Sequence, residues 1–402
     1  MTEVVRSQAV ANSLPWTSQL AFSIKIRAIQ KGLTCLDWLS SVNKTSSHAP
    51  NIIKTYETRQ HLPVRIFIPS SFSSNSSDTL PTLFTIHGGG FCIGSSQDDD
   101  AWNRSFADTH SILVVALNYS KAPAAPFPTG LDDLEALYLA ALDDESLPID
   151  RANGGRVAIC GFSAGGNLTL GLCQRLLRSE HQGLSSCRPR AAISVYGALD
   201  LSLSPDFKIT TRQYKSDTSL GSPRTSAHDT LLSIAPLFDW SYLPPGQDLR
   251  DPLVSPGPYA RPEDLPAHVF VIASELDMLA NESRECANRL AHQRGSSRHV
   301  SAETSMSELA APRCGRPEPG RPGELELDDE RFAWQETFSD GSVRWLLVPD
   351  VLHGFDSLPM RERLGGKETM KDAELKTEAY CRVLGEWLLG TVFSSVQRPE
   401  VL

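Results

Sequence analysis

The chain has no run of about 18 apolar residues, no stretch rich in lysine and arginine, and no Cys-x-x-Cys pair, and each absence removes a class of protein. Without the apolar run there is no candidate transmembrane helix. Residues 1–16 also lack an uninterrupted apolar core of signal-peptide length, so the expectation is a soluble, cytoplasmic protein with no integral membrane segment. Without a basic run, and with 38 Lys+Arg against 48 Asp+Glu for a formal net charge of -10, the chain offers no electrostatic footprint for a nucleic-acid partner. The eight cysteines are scattered from Cys35 to Cys381 without close Cys/His spacing. Neither a zinc site nor a disulfide framework is implied, and free buried thiols are expected.

What is present is the material of a core. Hydrophobic residues make up 40% of the chain and charged residues 21%, and 402 residues suit one large α/β domain with insertions. Apolar runs rich in β-branched residues recur at 64–69, 83–87, 112–119, 157–162, 191–197, 268–274 and 343–349, reading as strands buried on both faces. Helical patterns lie between several of them, at 129–143, 165–178, 279–293 and from about 367. In the last, Leu375, Ala379, Val383, Leu384, Trp387 and Leu388 are predicted to form the face that packs on the sheet. The alternation predicts an α/β fold with a mostly parallel central sheet flanked by helices.

Three segments break the alternation. Residues 1–50 are read as an N-terminal cap segment, whose amphipathic stretch from 18 to 39 is either a cover helix or a membrane-surface helix. Residues 200–262 are read as a cap insertion, and 295–338 as a polar low-complexity insertion expected to form a mobile surface loop. The core is then 51–199, 263–294 and 339–392.

The strand at 157–162 runs into Gly161-Phe162-Ser163-Ala164-Gly165 and then a helix, the strand-turn-helix context of a nucleophile elbow. The bare pentapeptide would arise by chance roughly 0.2 times in such a chain, so the context carries the weight. Glycines two positions either side of the serine let strand and helix approach closely while the hydroxyl is presented at the sheet edge. The second signal is His87-Gly88-Gly89-Gly90 followed by Phe91, directly after the strand residues 83–86; the tetrad alone is expected by chance only about 0.003 times. Successive glycines leave backbone N–H groups unshielded, ready to meet an oxygen that becomes negative. Gly89 and Gly90, with the N–H of Ala164, are assigned as oxyanion-hole donors, and His87 and Gly88 complete the motif.

With both motifs in place, the chain resembles the hormone-sensitive-lipase-like branch of the α/β-hydrolases, a group of carboxylesterases and lipases. Asn118-Tyr119 followed by Pro123 and Phe127-Pro128 resembles that family's tyrosine-proline stretch, and 251–256 its segment before the acid strand; the likeness spans about 80–355. The chain departs from the pattern at Ser120-Lys121, where Arg and Leu are usual, and at Met278, where Pro is usual. The resemblance implies an α/β-hydrolase fold with a helical cap and the chain order serine, acid, histidine. Asp277, after the strand at 268–274, aligns with the family's acid. Glu275 is the close rival and reads as a solvated loop carboxylate. Of the histidines beyond it, His292 ends a helical pattern and His299 lies in the polar insertion, leaving His353 as the base, in a His-Gly-Phe ending like the family's.

Ser163, Asp277 and His353 therefore form the expected triad, acting on a small-molecule ester through an acyl-enzyme with no metal and no cofactor. Asp98-Asp99-Asp100 is read as a solvated loop trio without a metal role. The expected function is hydrolysis of small or medium acyl esters, with a setting in secondary metabolism. Acyl transfer, lactone or lipid hydrolysis would use the same triad. A ligand-binding receptor of this fold, like the gibberellin receptors, would lack the triad histidine.

Overall fold

The computed structural model describes residues 14–41, 47–73, 78–151, 155–179, 188–216, 218–296, 313–361 and 366–394. Its strands are β1 (Ile52–Lys54), β2 (Val64–Phe67), β3 (Thr82–Ile86), β4 (Leu113–Leu117), β5 (Val157–Phe162), β6 (Ala191–Val195), β7 (His268–Ser274), β8 (Ala333–Thr337) and β9 (Ser342–Val348). They hydrogen-bond in the order β1-β2-β4-β3-β5-β6-β7-β9-β8. From β4 through β9 the pairs are parallel, while β1, β2 and β8 join antiparallel at the two margins. Ile86 pairs with Leu117 and with Gly161, and Gly161 pairs with Ser194. This register brings the carboxyl ends of four central strands to one edge, where ligands of open α/β sheets bind.

The central strands read as continuous apolar runs because both faces are covered. Along β4, Leu113, Val115 and Leu117 join one core layer and Val114 and Ala116 the other. The helices are α1 (Trp16–Ser41), α2 (Asp100–His110), α3 (Thr129–Asp143), α4 (Ala164–Arg178), α5 (Pro205–Lys208), α6 (Ala235–Tyr242), α7 (Pro256–Tyr259), α8 (Ala280–Gln293), α9 (Leu358–Arg361) and α10 (Lys367–Trp387). Leu134 of α3, Leu168 of α4 and Leu290 of α8 fill the first layer; Phe106 of α2 and Tyr380 of α10 fill the second.

All seven strands expected from the sequence form, those at 157–162 and 268–274 over the expected residues and the others shortened at their ends or shifted by one residue. The two missed are β1, three residues long and largely exposed, and β8, whose alternating polar residues face solvent. β8 corrects the loop expected over 295–338. Residues 297–312 lie outside the described residues, but 313–338 contribute a sheet strand and bury Cys314 and Phe332. The face expected of the closing helix also needs correction. Val383, Leu384, Trp387 and Leu388 are buried, but Leu375 is exposed and Ala379 half-buried. Asp372 and Lys376 take the inner positions instead. Burying charge is tolerated there because each has a partner: Lys376 Nζ lies 3.1 Å from Asp372, which also pairs with Arg224.

Helix α1 packs through one face. Ile26 is fully buried, the Phe22 ring meets Trp240 of α6 edge-on at 5.7 Å, and Gln30 Nε2 donates to the carbonyls of Cys92 and Ala122. Trp16, Leu20 and Ile24 point outward. Among the described residues no helix is long and apolar enough to cross a membrane.

Candidate active site

Ser163 sits between β5 and α4 with φ 55° and ψ -118°, a left-handed conformation that non-glycine residues rarely hold. Close packing enforces it. A Cβ on Gly161 would lie 2.1 Å from the Gly165 carbonyl oxygen, and one on Gly165 would lie 2.1 Å from that of Ile86. Strand and helix therefore touch backbone to backbone, and only glycine fits at either position.

The hydroxyl of Ser163 donates to Nε2 of His353 at 2.8 Å, and Nδ1 of that ring donates to Oδ2 of Asp277 at 2.7 Å. Asp277 lies in the turn after β7, 1% exposed, and its Oδ1 accepts the N–H of Leu279 at 3.0 Å. The three side chains picked from sequence thus form one hydrogen-bonded chain, drawn from turns after β5, β7 and β9. Burial alone would push the His353 imidazole down. The Asp277 carboxylate, by charge and by hydrogen bond, outweighs it, with Asp229 and Asp356 adding to the effect, so the ring is held above the ordinary imidazole range. The Tyr196 ring meets His353 edge-on at 4.8 Å.

Beside the serine runs the glycine loop. A Cβ on Gly88 would stand 3.2 Å from the Ser163 Cβ, which places the loop against the Ser163 side chain. Gly89 and Gly90 have φ of 107° and 56°, the region glycine alone enters freely. A Cβ on Gly90 would stand 2.0 Å from the Phe238 ring, so α6 closes over the loop. His87 is buried beneath it, stacked on Tyr119 at 4.4 Å, and its Nδ1–H donates to the Gly88 carbonyl at 2.7 Å. The Tyr119 hydroxyl donates to the same carbonyl at 3.2 Å. Burial, then the nearby Lys121 ammonium, hold His87 neutral by pushing it well below the usual imidazole range. Lys121 itself, absent from the sequence assignment, donates to His87 Nε2 at 3.1 Å and to Asn118 Oδ1 at 3.0 Å. Its burial pushes it down to about 7.

Glu275 is not the solvated carboxylate its loop position suggested; it is fully buried. Oε2 pairs with the equally buried Lys215 at 2.7 Å and accepts the Asp350 N–H at 2.8 Å, while Oε1 accepts the Arg316 N–H at 2.9 Å. Lys215 also reaches Asp350 at 2.6 Å. Glu275 therefore joins the Asp277 turn to the turn that carries His353. The acidic trio also differs from the sequence reading: Asp100 opens α2 and pairs with Arg65, whose Nε donates at 2.7 Å, and Asp98 accepts the Ser95 N–H at 3.2 Å. Among the described residues no group of three His, Cys, Asp or Glu side chains is placed to hold a metal ion. A cavity of about 460 Å³ lined by His61, Gly94, Tyr119 and Lys121 includes none of Ser163, Asp277 or His353 in its walls.

A sequence profile of the alpha/beta hydrolase fold family matches residues 83–306, more than half of the chain. The chain belongs to the α/β-hydrolase fold family. This hydrolase also matches a Carboxylesterase family profile over residues 15–127. Its relatives include arylacetamide deacetylase of Bos taurus, 36% identical over 129 residues, which is 32% of this chain and 32% of that protein. Probable carboxylesterase 6 of Arabidopsis thaliana is 25% identical over 55% of this chain and 63% of its own length. The match thus spans about a third of the deacetylase's length. Among solved structures, the Pyrobaculum calidifontis esterase superposes with a TM-score of 0.58 at 19% identity, covering 91% of this chain and 94% of the other; at that identity the likeness speaks for the fold.

Proposed function

We propose that this hydrolase cleaves carboxylic esters of small or medium acyl groups by nucleophilic catalysis, with Ser163 as nucleophile, His353 as general base and acid, and Asp277 as the group that orients the histidine. The observation that carries the reading is the unbroken bond series Ser163 Oγ to His353 to Asp277, at 2.8 and 2.7 Å. Ser163 Oγ bonds to the ester carbonyl carbon as its proton passes to Nε2 of His353. The N–H groups of Gly89, Gly90 and Ala164 stabilise the oxyanion that forms. The carbon–oxygen bond to the alcohol breaks as Nε2 returns the proton to the leaving oxygen. Water, deprotonated by the same nitrogen, attacks the acyl-enzyme, and the acid leaves as Ser163 recovers its proton. The receptor alternative would lack a histidine partner for the serine, a contact this chain keeps.

The test is turnover of p-nitrophenyl acetate, butyrate, octanoate and palmitate by the purified protein. Acetate and butyrate are expected to give higher kcat/KM than palmitate, because Phe238 and the Phe91–Tyr242 stack at 3.7 Å crowd the loop. A flat response across the series, or none, counts against the assignment. The pH profile is a further expectation. The base must be neutral, and its conjugate acid is stabilised by the three carboxylates of Asp277, Asp229 and Asp356, so activity falls on the acid side. The acid limb of kcat/KM is expected above the ordinary imidazole value of about 6.5. A limb below that value would reject the buried His353–Asp277 pair as its origin.

A further inference from the structure

Two side chains outside the triad reach the acid turn from the 200–262 segment. Arg212 and Asp229 are 3% and 4% exposed and pair with each other at 3.2 Å. Arg212 Nε donates to the Leu276 carbonyl at 2.9 Å, and the Met278 N–H donates to Asp229 Oδ2 at 3.1 Å. Those are the carbonyl of the peptide before Asp277 and the N–H of the peptide after it. Holding both peptide planes fixes the backbone on each side of the Asp277 Cα, and with it the direction in which that carboxylate aims. The pair is anchored in turn: Arg212 Nη1 donates to the Ser226 carbonyl at 3.1 Å, and Asp229 Oδ1 accepts the Leu231 N–H at 2.8 Å.

We propose that Arg212 and Asp229 clamp the acid turn, and that Asp229 is a positioning residue whose carboxylate also strengthens His353 as a base. The inference rests on the triad reading above and adds to it a second carboxylate, supplied by a segment remote in sequence. The groups facing His353 are the carboxylates of Asp277, Asp229 and Asp356, the Ser163 hydroxyl and the Tyr196 ring. Those facing Asp229 are Arg212, Asp277 and His353. Burial and the Asp277 charge push Asp229 above the usual carboxylate range, while the Leu231 N–H, Arg212 and His353 oppose the shift. An anion beside the imidazole favours its protonated form, so removing that charge lowers the histidine's proton affinity.

The experiment compares Asp229→Asn with wild type in full pH profiles of p-nitrophenyl butyrate hydrolysis, with Arg212→Lys and Ser163→Ala alongside. The amide keeps an acceptor for the Met278 N–H and removes the charge. The acid limb of kcat/KM is expected to move to lower pH by about half a unit to one unit. The value of kcat is expected to fall about tenfold with little change in KM, as an orienting group lost from the far side of the base should produce. Arg212→Lys, which keeps the cation, should retain the wild-type limb and lose less of kcat. A folded Asp229→Asn enzyme with an unmoved limb overturns the inference, even if its Tm has fallen, because a purely structural role lowers Tm without moving the limb. If Asp229→Asn does not fold, Asp229→Ser removes the same charge while keeping an acceptor, and is judged by the same shift. An active Ser163→Ala protein would instead overturn the triad reading itself.

Discussion

Ser163→Ala is expected to lower kcat/KM for p-nitrophenyl butyrate by about a million-fold, leaving the folded state in place. The size follows from what the hydroxyl does. In the proposed mechanism it is the one triad atom that bonds to the acyl carbon, so removing it abolishes the acyl-enzyme and makes the His353 base idle. What survives is whatever the glycine loop supplies by binding the carbonyl while water attacks, roughly a thousand-fold over solution. Folding should be little changed. Among the described residues the Ser163 side chain bonds across to His353 alone, and its positive φ is imposed by backbone contacts of Gly161 and Gly165 that alanine does not disturb. Steady-state rates with urea denaturation of both proteins give the answer. A mutant as active as wild type would place the nucleophile elsewhere.

Asp277→Asn is expected to lower kcat by about ten-thousand-fold while KM changes little. The carboxylate accepts the proton of His353 Nδ1 at 2.7 Å, which leaves Nε2 unprotonated and able to receive the serine proton. An amide in the same position can turn its NH2 toward Nδ1. The imidazole then carries its proton on Nε2, and a nitrogen that already bears hydrogen accepts nothing from Ser163. Charge is lost as well, so the imidazolium formed during attack loses its hydrogen-bonded counter-ion in a buried site. Pre-steady-state release of p-nitrophenol separates this from a slow deacylation: both the burst and the steady rate should fall. Loss of stability alone, with kcat retained, would remove Asp277 from the reaction.

The motifs around Ser163 and Gly88–Gly90 were legible because their constraint is local. Glycines are needed where backbone meets backbone within a few residues, and that need is written in adjacent letters. The acid was less legible. Glu275 and Asp277 are two carboxylates of one turn, and sequence alone separated them only by family position. Their partners do so physically: Lys215 and the N–H groups of Asp350 and Arg316 draw Glu275 into a buried charge cluster, while Asp277 meets His353. Lys215 lies 60 residues from Glu275 in the chain, a separation that no periodicity reveals. The inner face of α10 is illegible for the same reason, since Asp372 and Lys376 pair with Arg224 and Asp350 on other parts of the chain. β8 escaped notice because an edge strand with one solvated face has the composition of a loop.

The α/β class, the order of the central strands and helices along the chain, the Gly161–Gly165 turn and the Gly88–Gly90 loop are all readable from the amino-acid order. Each depends on apolar periodicity or on steric rules that act between near neighbours. Which carboxylate meets the histidine, what holds the Asp277 turn and which charges are buried emerge with the folded neighbourhood alone. Those outcomes depend on desolvation and on partners brought together from distant parts of the chain, and their free energies are set by a three-dimensional neighbourhood rather than by any one segment.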